Sequence, residues 1–166
     1  MSSEIETADI CERLVGITPI SLNNFLQRGL FGLKSSIQAG KLRERKRLFS
    51  QEDVFGIALV WVLFESGLRT DPIVRILKDI AGKSKVDANG VAKKILNEES
   101  QWIEISRQPR PPSKNPSDRP EQTTRVWNKR EVRSFELSEQ AASTLFIPVG
   151  AKFSDIQHRL ELLFNS

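Results

Sequence analysis

The chain has one cysteine and one histidine among its 166 residues. A single cysteine, Cys11, excludes an internal disulfide framework and a cysteine-rich zinc site, and it suits a reducing compartment. A single histidine, His158, makes neither a metal site nor an acid–base couple by itself. Long apolar runs are also missing. The longest apolar-rich stretch, Ile57 to Phe64, falls far short of the roughly 20 residues that a bilayer span needs. Met1-Ser2-Ser3-Glu4 has no basic start followed by an apolar run, so no secretory signal is expected and the expected location is the cytoplasm, off the membrane. The sequence contains no phosphate-cradling glycine loop, no paired nucleophile and base, and no ligand constellation. The expectation is a non-enzyme with no cofactor and no metal.

What is present is enough apolar side chain for a core, 39% of the residues, so a wholly disordered chain is excluded. The formal net charge is +4, a mild lean toward a polyanionic partner whose meaning depends on where the charge sits.

Along the chain, Thr7 is placed to cap a first helix to Leu14, with Ile10, Cys11 and Leu14 on one side and Gly16 beyond its end. Thr18-Pro19 then combines a capping hydroxyl with proline at the first helical position. Leu22, Phe25 and Leu26 recur at helical spacing up to Gly29. Two short helices this close have the spacing of a helix-turn-helix. Leu30 to Phe49 reads as a β-hairpin with a basic tip. Ser50-Gln51-Glu52-Asp53 opens a helix with a capping serine and acids in the first turn. Val54, Ile57, Ala58, Trp61 and Phe64 are its expected core face. Further helices are predicted from Thr70 to Gly82 and from Asp87 to Asn97.

In the second half, Trp102, Ile103 and Ile105 predict a strand. Five of the eight prolines, at 109, 111, 112, 116 and 120, crowd a loop over 107–122, where no regular element survives. That loop carries Arg107, Arg110, Lys114 and Arg119, read either as a solvated linker or as an added electrostatic contact. Thr124 to Leu137 predicts one or two strands with a turn near Asn128-Lys129. Leu145 to Val149 predicts a short edge strand interrupted by Pro148. Ser154 is the expected cap of a last helix with the stripe Ile156, Leu160, Leu163 and Phe164.

The order and spacing of these parts resemble the MerR family of transcription regulators. Thr7-Ala8-Asp9-Ile10-Cys11 is similar to the family's first helix. Ser21-Leu22-Asn23-Asn24-Phe25-Leu26-Gln27-Arg28-Gly29-Leu30 stands where the family has its recognition helix. Arg47-Leu48-Phe49-Ser50-Gln51-Glu52-Asp53-Val54 resembles its hairpin exit, and Glu65-Ser66-Gly67-Leu68-Arg69 its helix-to-helix step. The likeness covers residues 5 to 80. Asn23-Asn24 replaces the family's usual Arg-Tyr-type pair, and the second half lacks both the cysteines of its metal sensors and their long coiled-coil helix.

The resemblance implies an α+β protein. A MerR-like winged helix-turn-helix domain (1–82) would precede a connecting helix and strand (83–106), the Pro-rich basic loop (107–122), and a small mixed α/β region of short strands and a terminal helix (123–166). The implied function is sequence-specific regulation of transcription by a homodimer on double-stranded DNA. Asn23, Asn24, Gln27 and Arg28, on the polar side of the second helix, are candidates for base or phosphate contact, or else face solvent. Thr18 and Ser21 either donate to phosphate or simply cap. Lys41, Arg43, Arg45, Lys46 and Arg47, five bases in seven residues, would lie along the phosphate backbone as a wing, or form a solvated loop. Ile156, Leu160, Leu163 and Phe164 either dimerise or pack on their own domain. Trp61, Phe64 and Cys11 are expected in the core. No residue identifies a small-molecule effector. The alternative function is a winged-helix architectural or protein-interaction module, such as a phage-type excision or partition accessory.

Overall fold

The structure is a computed structural model that describes residues 5–31, 48–107, 122–128 and 143–165. Among the described residues it is an α+β fold of six α-helices, a π-helical turn and two small antiparallel sheets.

Strand β1 (Ile5–Glu6) leads directly into α1 (Thr7–Asp9), which continues as a π-helical turn, Ile10–Leu14. Thr7 is therefore not the cap expected from sequence. The cap position is Glu6, held extended by pairing with strand β2 (Leu48–Phe49), and it makes no capping side-chain bond. That pairing, Ile5 opposite Phe49, was not foreseen: among the described residues the exit of the expected hairpin pairs with the chain's own beginning. Helix α2 (Pro19–Gln27) begins as predicted, with Thr18 as cap and proline in its first turn.

Helix α3 (Gln51–Glu65) opens with a complete capping box. The Asp53 N–H donates to Ser50 Oγ (3.2 Å) and the Ser50 N–H to Asp53 Oδ2 (2.8 Å), satisfying donors that a helix start otherwise strands. Helix α4 (Thr70–Ala81) ends at Gly82, and α5 (Ala88–Asn97) is capped by Asp87, which accepts from the Gly90 N–H.

Strand β3 (Ser100–Arg107) is the centre of a three-stranded sheet between β4 (Gln122–Asn128) and β5 (Ser143–Ile147). β5 lies at the edge as expected, but Pro148 follows the strand instead of interrupting it. The residue before a proline favours extended backbone, so Ile147 closes the strand and α6 (Val149–Asn165) starts at once. Ser154, the expected cap, lies inside that helix.

Helix α3 packs against α4, α5 and α6. Being covered on several sides, it buries more of its circumference than one stripe: Leu59, Val60 and Leu63 are buried along with Val54, Ile57 and Ala58. The widened core turns the expected face. Trp61 is only half-buried, and Phe64 is 41% exposed. Phe64 lies edge-on to the buried Phe25 (centroids 5.4 Å apart) and stacks on Trp61 (5.5 Å). Buried residues from Ile5 to Leu160 form one continuous cluster, to which the 83–106 segment contributes Ala88, Val91, Ala92, Ile95, Ile103 and Ile105.

Candidate nucleic-acid interface

The first helix and α2 are joined by Val15 to Thr18. Gly16 takes φ 78 in that turn, a left-handed conformation that glycine adopts without steric cost. Leu22 and Phe25 of α2 point into the core. The opposite side of the helix is a single exposed stripe of Ile20, Asn23, Asn24, Gln27 and Arg28, at the i, i+3, i+4, i+7 and i+8 positions that share one face. The four polar candidates on α2 are thus brought together. Ile20, 75% exposed, was missed by sequence reasoning. Its signal was its place in the same register as the asparagines.

Thr18 and Ser21 are bonded to each other. Thr18 Oγ1 accepts from the Ser21 N–H (3.1 Å) and donates to Ser21 Oγ (2.9 Å). The Thr18 hydroxyl proton is thereby committed to the cap, while the Ser21 hydroxyl keeps a proton to donate. The guanidinium of Arg28 makes no ion pair among the described residues. On the first helix Arg13 pairs with Asp9 (3.4 Å), which leaves the exposed Glu12 as that helix's net negative charge.

Lys41, Arg43, Arg45, Lys46 and Arg47 lie outside the described residues, as do Arg110, Lys114 and Arg119 of the Pro-rich loop. Arg107 is the last residue of β3.

The candidate dimerisation stripe divides. Ile156 and Leu160 are buried in the chain's own core, and Leu163 is partly buried against it. Ile156 and Leu160 follow the second of the two alternatives, packing within the chain, because α6 lies across α3, β3 and the π-turn. Phe164 (40%) and its neighbour Leu162 (59%) stay exposed. His158 is exposed on the same helix. Cys11 is half-buried. Burial pushes its thiol pKa up, and the Glu12 carboxylate adds to the effect.

No protein-family model matches the chain, and no curated protein matches it.

One buried charge-bearing group lies elsewhere. Glu104, at the middle of β3, accepts from Trp127 Nε1 (2.6 Å) and from the Ser106 hydroxyl (2.5 Å). Each carboxylate oxygen thus has a neutral donor, which gives the group a structural partner set. Its sequence signal was an acid in strand register between Ile103 and Ile105. No three-residue group of His, Cys, Asp or Glu suited to a metal occurs among the described residues, and no described helix is long and apolar enough to cross a membrane.

Proposed function

We propose that the chain is a sequence-specific DNA-binding transcription regulator of the MerR-like winged helix-turn-helix kind, acting as a homodimer on duplex DNA. The observation that carries this reading is the exposed stripe of α2. Apart from Ile20 it is polar, it ends in Arg28, which makes no ion pair among the described residues, and it belongs to a helix anchored from behind by Leu22 and Phe25. Asparagine and glutamine read adenine edges, arginine reads guanine or holds phosphate, and an exposed aliphatic side chain suits a thymine methyl. The basic residues at 41–47 would supply the sequence-independent grip of a wing. With Ile156 and Leu160 buried, the surface left for a second copy is the end of α6, where Leu162 and Phe164 stand exposed.

The test is duplex binding measured as salt is raised. Binding should weaken steeply. Arg45→Ala or Arg47→Ala should lower affinity for every sequence, whereas Asn23→Ala should change which sequences are preferred. A gel-shift series in which neither arginine variant loses affinity removes the wing from this reading. The self-packing of α6 favours the second reading, an architectural module. Dense clustered sites at one locus in a genome-wide footprint would select that reading over a few promoter palindromes.

A further inference from the structure

We propose that the α4–α5 turn, Lys83-Ser84-Lys85, is a second phosphate-contacting edge that extends the DNA interface beyond α2. This rests on the DNA-binding reading above and adds a contact that the sequence did not single out.

One backbone bond ties the turn to the chain beyond α2. The Ala88 N–H donates to the Leu30 carbonyl (3.1 Å), tying the start of α5 to the chain just past α2. Leu30 lies two residues beyond Arg28, and Ala88 three beyond Lys85. At 3.8 Å per Cα step, the Cα atoms of Arg28 and Lys85 are at most about 25 Å apart. Within that separation an arginine and a lysine that face the same duplex can meet phosphates of one strand, which carries a charge about every 3.4 Å along the axis.

Lys83, Ser84 and Lys85 are all exposed, and neither lysine makes an ion pair among the described residues. The nearest acids in sequence bond to neutral donors and pair with neither lysine: Asp87 caps α5, and Asp79 accepts from the Thr124 hydroxyl (3.4 Å). The turn is held in place, since the Lys83 N–H donates to the Lys78 carbonyl (3.3 Å). A hydroxyl between two uncommitted cations, on a fixed turn, is a donor set that suits phosphate oxygens. A purely structural role for Lys83, offsetting the negative end of the α4 dipole, would appear in stability and not in salt dependence.

The experiment uses the full chain and a labelled random-sequence duplex, with anisotropy followed between about 50 and 200 mM salt. The variants are Lys83→Ala/Lys85→Ala, Lys83→Arg/Lys85→Arg, Arg28→Ala and Lys93→Ala, the last removing a lysine paired with Glu52 (2.9 Å). The double alanine variant should flatten the log–log salt slope by about two, one for each lost phosphate contact, at unchanged Tm. The double arginine variant should keep the wild-type slope, and so should Lys93→Ala. If Arg28→Ala flattens the slope while the double alanine variant does not, this proposal falls and the DNA-binding reading stands. It also falls if the alanine variant loses binding only in step with a lowered Tm. A wild-type chain with no salt-dependent duplex binding overturns both.

Discussion

Lys152 Nζ donates a hydrogen bond to the carbonyl of Val15 at 3.2 Å, joining residues 137 apart in the chain. Arg159, two turns further along the same face of α6, donates to the Arg13 carbonyl at 3.2 Å. The end of the first helix leaves carbonyls without intrahelical donors, and cations are favoured there. The last helix thus supplies the C-terminal cap of the first, immediately before the Gly16 turn that aims α2. Replacing Lys152 with Met should cost about 1.5–3 kcal/mol, the range for a hydrogen bond from a charged group, and should speed hydrogen exchange at Gly16 and Ile17. Lys152→Arg should keep both. Unchanged exchange in the Met variant would show that α6 does not brace the turn.

Asp53 has two jobs. Its Oδ2 closes the capping box of α3, and its Oδ1 accepts from Asn89 Nδ2 (2.6 Å) on α5. Asp53→Ala removes a cap and strands a part-buried amide. The expected loss is about 2–3 kcal/mol by denaturant midpoint. Ser50→Ala, which touches only the cap, should cost about 1 kcal/mol. Equal losses in the two variants would mean that the bond to Asn89 contributes nothing.

Gly56 of α3 lies close against Asn89 of α5. A Cβ there would run into the Asn89 carboxamide and lie 3.1 Å from the Asn89 Cα. Turning the side chain away therefore does not make room, and the helices must part. Gly56→Ala should destabilise by about 1–3 kcal/mol as an overpacked site, against the roughly 1 kcal/mol gain that alanine brings to an open helix position. A raised Tm in this variant would contradict the close approach.

Cys11 provides a pH test. Its thiol pKa lies above the ordinary 9.0, first through burial and then through Glu12. Below that value both folded and unfolded thiols are neutral and stability is indifferent to pH on this account. Above it the unfolded chain ionises first, so stability falls as pH rises further. Cys11→Ala should lessen that fall. At neutral pH native Cys11 should react with a thiol reagent more slowly than in denaturant. A native rate equal to the denatured one would contradict the burial.

Local signals in the sequence located much of this fold. Thr18-Pro19, Ser50 with Asp53, Asp87 and Gly82 each mark a helix end by a bond or dihedral confined to a few residues, and each stands where expected. Long-range pairing was not legible. Nothing local in Ile5-Glu6 announces a strand, because its partner Phe49 lies far along the chain. Phe64 carries the apolar signal of a core residue, yet three helices crowd α3 and rotate its buried sector past it. The α6 stripe could be recognised as apolar, but what covers it depends on where α3 and β3 stand. On α2, the polar residues were legible from the spacing of Leu22 and Phe25, while Ile20 was hidden because an exposed isoleucine looks like a buried one.

That isoleucine separates stability from recognition. At 75% exposed, Ile20 contributes little to the core, so Ile20→Ser should change stability by no more than about 0.5 kcal/mol. On the DNA-binding reading it stands in register with Asn23, Asn24 and Gln27, where an aliphatic group can meet a thymine methyl. Selection of bound duplexes from a random pool should then return the wild-type preference at every position but one, with thymine lost at that position at a cost of about 1–3 kcal/mol per mismatched pair. Two outcomes speak against this role. An identical selected sequence would mean that Ile20 touches no base, and a uniform loss across sequences would mean that it only shapes the helix.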